Sequence, residues 1–138
     1  MNPTLPLEAL ELRDAAAGAF ADHGGVEWAR RAEADPSIRS SEVAPLLKSL
    51  GVADLDPRSD DVSLAAAAAL CEAAGAVVLP YPLASALVLD AGGRPTAAVP
   101  STTTRVDHAD LFPEWQVGGL DGSGGMATGA GARLGTRL

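Results

Sequence analysis

Apolar and polar positions along the chain divide it into helix-sized stretches before Gly93 and a differently patterned tail after it. Leu7, Leu10, Asp14, Ala17 and Ala21 recur at helical spacing, with Leu10, Asp14 and Ala17 on one partly apolar stripe. Together with acidic residues at its start, this predicts a helix from about Leu7 to Ala21, stopped by Gly24 and Gly25. Val26 to Glu33 reads as one or two further helical turns, closed at Asp35-Pro36 because the residue before a proline is pushed out of the helical region. Ser41 is the expected cap of a short helix through Val43, Leu46, Leu47 and Leu50, with Gly51 just past its end. Asp54 to Asp61 reads as a solvated loop. Asp61 or Ser63 is then expected to cap a helix through Ala65 to Ala74 that stops at Gly75. Its five consecutive alanines favour helix but give a shallow surface, so this helix is expected at the centre of the packing. Pro82 opens a last helix, expected to run through Leu89 to Asp90 before Gly92-Gly93.

Beyond Gly93, Thr96 to Val99 and Trp115 to Val117 read as strands, with Ser101 to Thr104 as a polar turn or a second strand start. Eight of the fifteen glycines fall between Gly118 and Gly135, too much backbone freedom for a helix. The expected fold class is therefore mainly α: a bundle-like helical domain over residues 1–93, then a β-leaning, glycine-rich tail over residues 94–138. The tail's end, residues 118–138, is left without an assigned order.

Composition makes the core thin. Of 138 residues, 28 are alanine, against 18 leucines, 10 valines, one isoleucine and five aromatics. Trp28 and Trp115 are the natural core anchors. The net charge of −8, with Lys48 as the only lysine, repels phosphate backbones and argues against nucleic acid and anionic lipid as partners. The lone Cys71 fits a reducing, cytoplasmic location, and the acidic amino-terminal stretch lacks the pattern of a signal peptide. Between Val62 and Leu89 only Glu72 is charged, but Gly75, Pro80 and Pro82 cut this run into pieces too short to span a membrane.

No residue set forms a catalytic constellation. Gly122, Gly124 and Ala127 match the spacing of a dinucleotide fingerprint, yet lack the preceding strand and following helix that would make them cradle a pyrophosphate. Asp107, His108 and Asp110 flank a histidine with acids but have no second histidine or cysteine to complete a metal site. Asp54, Asp56, Asp60 and Asp61 lack the ligand spacing of a calcium loop. His23 is expected to complement a helix end, and Cys71 to be a small core residue.

Three segments in order carry a family resemblance: Leu46 to Pro57 (LLKSLGVADLDP), the helix around Leu70-Cys71-Glu72-Ala73-Ala74-Gly75, and Leu79-Pro80-Tyr81-Pro82-Leu83-Ala84-Ser85. They resemble the amino-terminal helical domain of acyl-CoA dehydrogenases. Ala97-Ala98-Val99-Pro100 and Trp115-Gln116-Val117 look like strands of that family's middle β-domain, and the resemblance covers about residues 5–120. It implies an FAD-dependent flavoprotein of fatty acid metabolism that oxidises the α,β bond of an acyl-CoA thioester. A carboxylate takes the α proton and the flavin accepts the β hydride.

The departures shape what is carried over. The family's catalytic glutamate belongs to a carboxyl-terminal bundle that this sequence does not include, and the flavin-touching segment has no counterpart in Ala98 to Gly118. Arg58-Ser59-Asp60-Asp61 replaces a glycine pair. No catalytic, flavin-binding or metal-binding residue is therefore assigned, and the chain is not expected to bind FAD or turn over acyl-CoA alone. Two functions are expected from the resemblance: a truncated dehydrogenase fragment, or a non-catalytic subunit that pairs with a complete dehydrogenase subunit or with itself. The remaining alternative is a helical domain unrelated to flavin chemistry.

Overall fold

The computed structural model describes residues 4–89, 91–100, 109–120 and 126–129. It is mainly helical, and its contacts divide it into two compact units, one ending at Leu83 and the other beginning at Ala84.

The first unit holds α1 (Leu7–Asp22), α2 (Val26–Ala34), α3 (Ala44–Ser49) and α4 (Asp61–Ala76). α1 packs on α4. Ala9 of α1 clusters with Ala66 and Ala69 of α4, and Leu5, Leu12, Leu55 and Ala65 close around them. The buried side of α1 is Ala9, Ala16 and Phe20, rather than the stripe through Leu10, Asp14 and Ala17. Alanine explains the difference: with no side chain beyond Cβ it lets the two backbones approach, while Asp14 and Ala17 stay at the surface. Half of the buried apolar residues described are alanine, so Trp28, Phe20, Leu70 and Val43 provide most of this unit's fully enclosed bulk.

Helix ends follow the backbone's unpaired groups. At the end of α1 the Gly24 N–H donates to the Ala21 carbonyl and the Gly25 N–H to Phe20, with both glycines at positive φ. This is a Schellman closure. Gly51, at φ 79°, closes α3 as expected. Ser41, however, is no cap. It lies inside a π-helical turn (Arg39–Val43) that runs directly into α3, where the Ala44 N–H reaches back five residues to the Arg39 carbonyl. Pro45 gives the reason: it has no N–H to donate and its ring crowds the carbonyl four residues earlier, so the preceding turn widens.

The cap of α4 is Asp60, one residue before those expected. Its backbone is extended, and its carboxylate accepts the Ser63 N–H at 2.7 Å, whereas Asp61 is already helical. Nor does Gly75 stop α4. The helix continues to Ala76 and closes through Val78 and Leu79.

The last helix, α5 (Leu83–Leu87), begins on the final residue of the first unit and is shorter than expected. Leu89 leaves it to bridge Pro95, and the Thr96 N–H donates to the Val88 carbonyl. A three-stranded sheet follows in the order β1 (Thr96–Pro100), β2 (Gln116–Leu120), β3 (Met126–Gly129). β1 and β2 are parallel, with Ala97 opposite Val117; β2 and β3 are antiparallel, with Val117 opposite Gly129. The expected second strand thus starts one residue late and continues through Gly118 and Gly119, where ladder hydrogen bonds hold a backbone that glycine alone leaves free. Trp115, just before it, is buried and meets Phe112 edge-on at 5.4 Å. Ser101 to Thr104 lies outside the described residues.

Candidate functional site: the outward strip of α4

α4 has two unlike faces. Ala66, Ala67, Ala69, Leu70, Ala73 and Ala74 are buried. Asp61, Leu64, Ala68, Glu72, Gly75 and Ala76 are exposed, and at 100° per residue they form one continuous strip. A solvated face of a four-turn helix ordinarily carries charges throughout. This one carries two: Asp61 in the first turn, where the helix dipole favours an acid, and Glu72. Large aliphatic groups stand at both ends, since Leu64 is 55%, Val62 45% and Val78 64% exposed. The rest of the strip is alanine and glycine, with no Cβ branch to keep another backbone away.

A second arrangement organises the polar groups of this unit. Trp28 is wholly buried, yet its indole N–H donates to Glu42 Oε2 at 3.1 Å. The other Glu42 oxygen accepts from Arg31 at 2.7 Å. His23 stacks on Trp28 with ring centroids 5.1 Å apart, and its Nδ1 lies 2.8 Å from the Ala19 carbonyl at the end of α1. The widened turn carries Glu42, so its geometry presents the carboxylate to α2. Spacing along the chain gave no sign of this network, because Trp28 and Glu42 are fourteen residues apart with no periodicity linking them.

Within each unit, the described groups singled out from sequence do not form a cluster. His23 sits at its helix end as expected. Asp56 is tied to Arg58, whose guanidinium holds the Asp56 carboxyl below the usual range, and Asp60 is lowered by the Ser63 N–H it accepts. Among the described residues no group of three or more His, Cys, Asp or Glu is placed to hold a metal. Cys71 is half-buried rather than a core residue, and burial raises its thiol pKa. Of the dinucleotide-like set, Ala127 lies in β3, and Gly122 and Gly124 fall outside the described residues. Asp107 and His108 fall outside them too, and Asp110 sits in a short 3₁₀ turn.

The fully buried set among the described residues contains no polar or charged side chain. No described helix is long and apolar enough to cross a membrane. No family model, curated protein or solved structure matches the chain.

Proposed function

We propose that this chain is a non-reacting wall: a helical module whose α4 strip is covered by another polypeptide segment and which acts through that contact. The observation carrying the reading is the strip itself, a run of apolar and small side chains along a full helix with Glu72 as its only charge beyond the first turn. The order of helices and the LLKSLGVADLDP and LPYPLAS segments favour an acyl-CoA dehydrogenase-like flavoprotein as the assembly it serves. In that setting the chain bounds the acyl and flavin pocket, and the partner supplies the flavin, the carboxylate base and the acyl-CoA site. The covering segment in this reading belongs to a complete dehydrogenase subunit, with a second copy of this chain as the alternative occupant.

The test is to purify the chain alone and together with a complete acyl-CoA dehydrogenase subunit, recording native mass and visible spectrum. The expected result is a colourless chain alone and a yellow complex containing both. A chain that stays monomeric, folds cooperatively and ignores the subunit would overturn the reading. A flavin spectrum from the chain alone would contradict the assignment of the cofactor to the partner.

A further inference from the structure

We draw no further inference here: the strongest candidate, the acidic and apolar surface where Glu8 and Leu7 open α1 and Asp61, Val62 and Leu64 open α4, carries nothing because nothing in the structure shows that these residues form one face or what covers them.

Discussion

Val78 occupies at the end of α4 the position that Gly24 occupies at the end of α1. In both, the residue after the C-cap has positive φ, its N–H donates to the carbonyl three residues back, and the next N–H reaches five residues back. Gly24 adopts φ 110° without penalty, whereas Val78, β-branched, is held at φ 52°. Such a conformation costs on the order of 1–3 kcal/mol.

Val78→Gly should therefore stabilise the chain by about 1 kcal/mol after allowing for glycine's greater freedom when unfolded. Denaturant melts at fixed pH check this, and a midpoint at or below the parent's would show that the Schellman end carries no strain. In the proposed complex the same change removes an exposed apolar side chain, so association should weaken while the free chain becomes more stable.

Leu64→Glu separates contact from folding. Leu64 is exposed and near the start of α4, where an acid is tolerated by the helix dipole, so the isolated chain should melt within about 0.5 kcal/mol of the parent. Capture of the dehydrogenase subunit should drop at least tenfold, read by titration calorimetry or co-elution. Unchanged capture would remove α4 from the interface.

Glu42 offers a comparison of two losses. Glu42→Ala leaves the buried Trp28 N–H without its acceptor, a cost of about 1–3 kcal/mol. Glu42→Gln keeps an amide oxygen for the indole but turns its NH2 toward Arg31, losing both the charge and the acceptor that face this half-exposed guanidinium, a cost of about 0.5–1 kcal/mol. In a Trp115→Phe background, tryptophan fluorescence reports Trp28 alone. Equal destabilisation by the two variants would show that the indole hydrogen bond contributes nothing.

How much of this fold could be read from residues alone depended on whether a single residue type carried the signal. Gly24-Gly25 and Gly51 marked true helix ends because glycine is the residue that takes positive φ most easily. The same rule misplaced the end of α4 at Gly75, since the residue taking positive φ there is a valine. Ser41 looked like a cap because serine usually is one, but Pro45 rearranges the turn around it. The apolar run from Val62 to Leu89 was visible as composition, while the division of α4 into a buried and an outward face required knowing where α1 lies. Cys71 shows the limit of composition, because an alanine-rich neighbourhood does not say which side of a helix a thiol occupies.

Asp60 gives a prediction in pH. Its carboxyl is fully solvated, and its pKa is lowered from the ordinary 3.8 chiefly by the hydrogen bond from the Ser63 N–H. A lowered native pKa means that the unfolded chain binds the proton more readily, so this contribution is complete above pH 3.8 and is lost as pH falls through the lowered value. Asp35, lowered by Ser37, and Asp56, lowered by Arg58, act in the same direction. Asp60→Asn keeps a cap acceptor but cannot titrate, whereas Asp60→Ala removes the cap. At pH 7 the alanine variant should melt a few degrees below the parent and the asparagine variant closer to it. Below pH 3.8 the gap between parent and alanine variant should narrow, because the unfolded parent then binds a proton that the folded one, with its lowered pKa, still rejects. A gap that stays constant from pH 7 to pH 3 would show that the negative charge on Asp60 contributes nothing to holding the start of α4.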